Sequence, residues 1–177
     1  MDIRIRKTQR SIYNAFIELR SKKPLERITI KELCEKAQIN KSTFYVYYSD
    51  IYDLSEQIEN EIITSVIKSI GSHEKMISNP AEFSEMLCTA YSAQLNLIST
   101  VFSGIRTEQL PRKIETAIKE TLFEIHPEYR NNTEINLKLS YSIYGGYYAF
   151  SMYSGGSEIN VIKEIGSMSE KIFGNNL

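Results

Sequence analysis

Two cysteines and two histidines in 177 residues leave little material for metal chemistry. Neither pair stands at a ligand spacing, so no metal site is expected. Catalytic signatures are missing too. The chain has no glycine-rich phosphate loop, no GxSxG elbow, no HExxH and no CxxC, and scattered Ser, His and Glu do not replace them. We therefore expect no enzyme, no catalytic residue and no cofactor. No apolar run reaches the ~18 residues of a membrane span, and no signal peptide opens the chain. Cys34 falls on a buried helical face and Cys88 within a helical stripe, so disulfides are not expected and a reducing cytoplasm is the natural compartment. Strand-like alternation, internal repeats and low-complexity tracts are likewise missing. What remains is helical periodicity with 42% hydrophobic residues, enough for a core in an all-α chain.

Within that helical chain, residues 29–54, TIKELCEKAQINKSTFYVYYSDIYDL, carry three successive helix starts. Thr29 with Glu32 fits a capping box, and Ile28 with Leu33 fits the hydrophobic staple that fixes chain entry. Ile30, Leu33, Cys34 and Ala37 follow the i, i+3, i+4, i+7 rhythm of one buried face, which stops at Gln38-Ile39. Asn40 is a good N-cap for a second helix from Lys41, with Ile39 before it and Phe44 after it. Ser49 and Asp50, with Asp53, mark a third start. Two short helices joined by a turn of about three or four residues form a helix-turn-helix.

On the second of these helices Phe44 and Tyr48 lie four apart and share a packing face. Lys41, Ser42, Thr43, Tyr45 and Tyr47 occupy the free side, supplying a cation, hydroxyls and phenols suited to phosphates and base edges. Val46 can touch a thymine methyl. Charge follows the same placement: residues 1–50 hold 11 Lys or Arg against 6 Asp or Glu, a net of +5, and residues 51–177 hold 10 against 16, a net of −6. Arg4, Arg6, Lys7 and Arg10 read as a basic entry arm before a helix whose buried stripe is Ile12, Ala15, Phe16 and Leu19, with phosphates within reach.

Residues 8–54 resemble the DNA-binding domain of the TetR family of bacterial transcriptional regulators. The resemblance rests on TQRSIYNAFIEL, on ITIKELCEKAQINKSTFYVYYSDIYDL and on the total length. It implies a helix-turn-helix DNA-binding domain (residues 1–49) and a helical effector-binding and dimerisation domain (residues 50–177). The partners it implies are a palindromic double-stranded DNA operator, a small-molecule effector and a second copy of the chain. Carried over by position, Thr29 is a phosphate contact at a helix N-terminus. Arg6, Lys7, Lys41, Ser42, Thr43, Tyr45 and Tyr47 complete the expected DNA-binding set. Three departures stand out: Gln38 replaces a turn glycine, Ile51 or Tyr52 replaces a lysine, and Tyr47 occupies a position often held by histidine. Gln38 must accept a left-handed backbone or the turn must differ.

Beyond residue 54 the periodicity predicts helices over 50–70, 80–94, 96–103, 108–125, 134–154 and 159–173. Breaks fall at Gly71-Ser72, Asn79-Pro80, Gly104, His126-Pro127 and Gly155-Gly156. The helix over 134–154 is apolar on two sides and therefore needs two partners. Tyr141, Tyr144 and Tyr148 on one stripe, with Tyr91, Phe102 and Cys88, are the candidate effector-pocket residues, because phenols both line a cavity and offer hydrogen bonds. Ile143, Gly146, Tyr147 and Phe150 on the other, with Ile162, Ile165 and Met168, are the candidate dimer contacts. Gly145-Gly146 suggests close backbone approach there, completing a four-helix bundle across a two-fold axis. The reading that results is a ligand-responsive repressor. Its alternative is a TetR-like coactivator acting through a protein partner, and a small helical enzyme or carrier is the third.

Overall fold

A computed structural model describes residues 3–71 and 73–174. Ser72, half of one expected break, lies outside the described residues. Among those described the chain is all-α, with ten α-helices and no strand: α1 (Ile3–Arg20), α2 (Ile30–Ala37), α3 (Lys41–Tyr47), α4 (Ile51–Ile70), α5 (Lys75–Ser78), α6 (Pro80–Ala93), α7 (Leu95–Val101), α8 (Leu110–Ile125), α9 (Thr133–Tyr153) and α10 (Glu158–Phe173). No helix among them is long and apolar enough to cross a membrane. The larger expected helices are present with ends shifted by one or two residues. Periodicity did not announce the short α5 or the 3-10 turns Leu25–Arg27, Gly104–Gln109 and Pro127–Asn131, because elements of three to six residues hold too few turns to carry a period.

Packing divides the chain into two compact units, Met1–Ile62 with Asn96–Thr107, and Ile63–Leu95 with Glu108–Leu177. The core of the first unit is Ile12, Phe16, Leu25, Leu33, Phe44 and Leu54, all fully buried. Ser11 Oγ donates to the Ala37 carbonyl at 2.7 Å, fixing α1 against the end of α2. Helix α1 begins at Ile3, so the basic residues expected in an entry arm stand instead on its first two turns. Charge is also buried in this unit. Glu59 is 0% exposed, accepts from Arg106 Nη2 at 2.6 Å and Nε at 2.8 Å, and accepts from Ser55 Oγ at 2.8 Å. Arg20 is also buried and donates to the Val101 carbonyl at 2.8 Å and to Ser103 Oγ at 2.7 Å. Its Nε has no partner. Burial pulls the Arg20 pKa down, while Glu26 and Glu59 push it back up; the guanidinium stays charged.

In the second unit α6 and α10 pack most closely. Gly166 makes this possible: a Cβ there would stand 2.9 Å from the Glu85 side chain and 3.0 Å from the Ala81 carbonyl oxygen. Gly145 and Gly146 make no such approach within the chain. A Cβ on Gly145 would meet nothing within 4 Å, and one on Gly146 would make ordinary contact with Ile165 at 3.4 Å. Within the chain, the close approach of helices is at Gly166.

Removing one partner of a buried ion pair strands the other charge, which costs far more than the net worth of the pair. Arg106→Ala should therefore destabilise the protein by about 3 kcal/mol, read from its urea midpoint. Pairing Arg106→Met with Glu59→Met should recover more than half of that loss.

Candidate nucleic-acid interface and ligand cavity

Helices α2 and α3 are joined by Gln38, Ile39 and Asn40. The first start is as the residue types require: Glu32 N donates to Thr29 Oγ1 at 3.3 Å and Thr29 N donates to Glu32 Oε2 at 3.3 Å, a complete capping box. Asn40 occupies the cap of α3, but its side chain makes no capping hydrogen bond. Asp50 caps α4, accepting from Tyr52 N at 2.7 Å and Asp53 N at 2.8 Å, while Asp53 accepts from Ser49 N at 2.8 Å. That hydrogen bond from Ser49 is the largest cause holding the Asp53 pKa below the ordinary carboxylate range.

Gln38 closes α2 in the left-handed conformation, φ 56° and ψ 44°, and is the non-glycine residue with positive φ among those described. Its amide donates to Glu35 and Cys34 carbonyls at the helix end. The turn geometry is therefore the one glycine would adopt, reached at a steric cost of about 1–2 kcal/mol.

Burial sorts the residues of α3 by face. Phe44 is fully buried, with its ring 5.6 Å from that of buried Tyr48. Tyr45 is 56% and Val46 74% exposed; Lys41 and Ser42 are exposed, and Thr43 and Tyr47 are half-buried. Arg6 and Lys7 are exposed on α1. Thr29 is exposed, but its hydroxyl and amide are both engaged by Glu32. Glu32 also pairs with Lys23, and that lysine is the main cause lowering the Glu32 pKa. A phosphate at this helix end would have to displace a carboxylate. Of the expected lysine positions, Ile51 is buried and Tyr52 is 48% exposed. Lys22 and Lys36 both pair with Glu18, at 2.8 and 2.6 Å, and hold its pKa down to about 2. Lys22 and Lys36 are thus paired at the α1–α2 junction, while Arg6, Lys7, Arg10, Arg27 and Lys41 are exposed as well.

The second unit contains a cavity of about 70 Å³. Of the candidate pocket residues, Cys88 and Tyr91 line it. Phe102 does not: it is buried in the first unit. The two stripes of α9 are exchanged relative to expectation. Ile143, Gly146, Tyr147 and Phe150, with Ile165, line the cavity, whereas Tyr141 (72% exposed) and Tyr148 (54%) lie outward with half-buried Tyr144. These three tyrosines share a shallow surface groove with Gly145, Met168 and Ile172. Met168 is 56% exposed, and Ile162 packs on the Cys88, Phe150 and Ile165 cluster. The physical reason is polarity. The stripe with Leu139, Ile143 and Phe150 has more purely apolar surface than the phenol-bearing stripe, and burying it costs fewer unmet hydroxyls.

Among the described residues no group of three or more His, Cys, Asp or Glu is placed to hold a metal ion. Both cysteines are buried and unbridged. The chain matches no protein-family model, no curated protein and no solved structure.

Gln38→Gly should raise stability by about 0.5–1 kcal/mol, the left-handed penalty less the added freedom of the unfolded chain. Denaturant unfolding measures it; an unchanged or lower midpoint would show the turn to be unstrained.

Proposed function

We propose that this protein is a ligand-responsive transcriptional regulator of the TetR type, acting in the cytoplasm as a homodimeric repressor at a palindromic operator. The observation that carries the reading is α3. It is a short helix anchored through Phe44, with a cation, hydroxyls, a phenol and an exposed valine on its outward side. Such a surface suits a major groove: Lys41 and Ser42 meet phosphates, and Thr43, Tyr45 and Tyr47 read base edges. Arg6 and Lys7 add backbone contacts. Thr29 contributes once Glu32 swings away. In a dimer the two α3 helices would stand about 34–36 Å apart, one turn of DNA. An effector that prefers a different spacing weakens binding by no more than its differential affinity for the two states.

For the homodimer, the outward stripe of Tyr141, Tyr144, Tyr148 and Met168 is the favoured surface, replacing the contacts expected at Ile143, Tyr147 and Phe150. A second reading has its own support. Tyr45, Val46 and Tyr52 are exposed apolar side chains, and Ile51 or Tyr52 stands where a lysine would meet a phosphate, features that suit a coactivator docking on a protein partner.

Thr43→Ala and Tyr45→Ala should each weaken operator binding by about 1–3 kcal/mol at fixed salt. Lys41→Ala should weaken all sequences alike and lower the salt slope by about 1. Selection of bound genomic DNA at ~150 mM salt supplies the operator. A palindrome supports the regulator; a stable protein partner and no enriched motif would replace it with the coactivator.

The dimer surface has a separate check at Gly145. Alanine there improves helix propensity by about 1 kcal/mol and meets nothing within the chain. Gly145→Ala should thus stabilise the monomer yet raise the dimer dissociation constant in sedimentation analysis. Unchanged dissociation would place the interface elsewhere.

A further inference from the structure

The cavity of the second unit lies among the later residues of α4 and helices α6, α8, α9 and α10. Its wall is apolar, with Ile63, Val66, Ile118 and Phe150 typical of it. No Asp, Glu, Lys, Arg or His lines it. Burial pushes the Cys88 thiol and the Tyr91 phenol up to about 12, so both are neutral at physiological pH. A charged guest would leave water without meeting a counter-charge, which is strongly unfavourable.

The hydroxyl-bearing residues of this wall are Ser84, Tyr91, Ser142 and Tyr147. Ser142 lines the cavity, and its Oγ is buried without a hydrogen-bond partner. Two other serine hydroxyls of the unit are occupied: Ser84 Oγ donates to Ser169 Oγ at 2.8 Å, and Ser140 Oγ donates to the Asn136 carbonyl at 2.9 Å. Serines on helices commonly make that last kind of bond, back to the preceding turn. Ser142 does not. A buried unmet hydroxyl is destabilising and is rare in folded proteins, and it is what a site completed by its guest would contain. The volume sets the scale. About 70 Å³ is roughly half of a cavity that takes benzene.

We propose that this cavity binds a small, uncharged, mainly apolar molecule carrying one hydroxyl or carbonyl oxygen, which hydrogen-bonds to Ser142 Oγ. The inference rests on the reading of the second unit as the effector-sensing one, and it names the chemistry of the effector. Gly146 and Ile165 close the wall beside Ser142, so the polar group of the guest sits against α9 and its apolar part against α4 and α8.

The test uses the full-length protein and three two-carbon probes matched to the cavity volume: ethanol, chloroethane and acetate. Binding is followed through the methyl resonances of Ile63, Ile118, Ile143 and Ile165. Ethanol should shift them saturably, chloroethane should bind roughly 5-fold more weakly for want of the hydrogen bond, and acetate should not bind. Ser142→Ala removes an unmet polar atom, so it should fold at least as stably as the parent, and it should erase the advantage of the alcohol. Acetate binding as well as the alcohol, an advantage that survives Ser142→Ala, or no shift with any probe would overturn the proposal. Operator affinity measured with and without ethanol separates the two layers. Binding in the cavity with unchanged operator affinity upholds the ligand chemistry and removes the regulatory reading. Specific operator binding by a protein whose cavity rejects every neutral probe does the reverse.

Discussion

A helix of seven residues cannot hold itself together in water, since nucleation costs more than two turns of hydrogen bonds return. Helix α3 persists because Phe44 is driven fully into the core of the first unit and Tyr48 closes over it. Everything about the outward side follows from that anchor. With Phe44 fixed, the 100° step of the helix turns Tyr45 and Val46 to solvent. The capping box at Thr29, the left-handed Gln38 and the Asp50 cap serve the same end, each setting where a short helix begins or stops.

Much of this was legible in the sequence because it is local. Thr29 and Glu32 are three residues apart and Phe44 and Tyr48 four apart; of the two geometries the sequence left open at Gln38, the left-handed one is found. The buried charges were not legible. Glu59 and Arg106 are separated by 47 residues and Arg20 and Ser103 by 83. Nothing in the pattern around either arginine distinguishes it from a solvated one. Long-range polar pairs leave no periodic trace, and only the fold brings them together.

Helix α9 illustrates a subtler limit. Period 3.6 identifies two apolar stripes but carries no sign saying which faces the core. Weight given to phenols as pocket-forming groups sends Tyr141, Tyr144 and Tyr148 inward. The stronger consideration is that Leu139, Ile143 and Phe150 leave no hydroxyl to satisfy. That signal was present in the sequence, in the composition of each stripe rather than in its spacing. Ser142, between the stripes, gave no warning of its unmet hydroxyl, because whether a helical serine bonds to its own backbone is decided by side-chain rotation.

The two free thiols have a practical meaning. Cys34 belongs to the first unit and Cys88 to the second, both buried, and burial raises both pKa values. Only thiolate reacts with alkylating reagents and oxidants, so neither sulfur is attacked while its surroundings stay closed. The rate at which each is modified is then a clock for the opening of its own half of the chain. Nature has thereby left one chemical reporter in each unit, able to time their local unfolding separately without any added label.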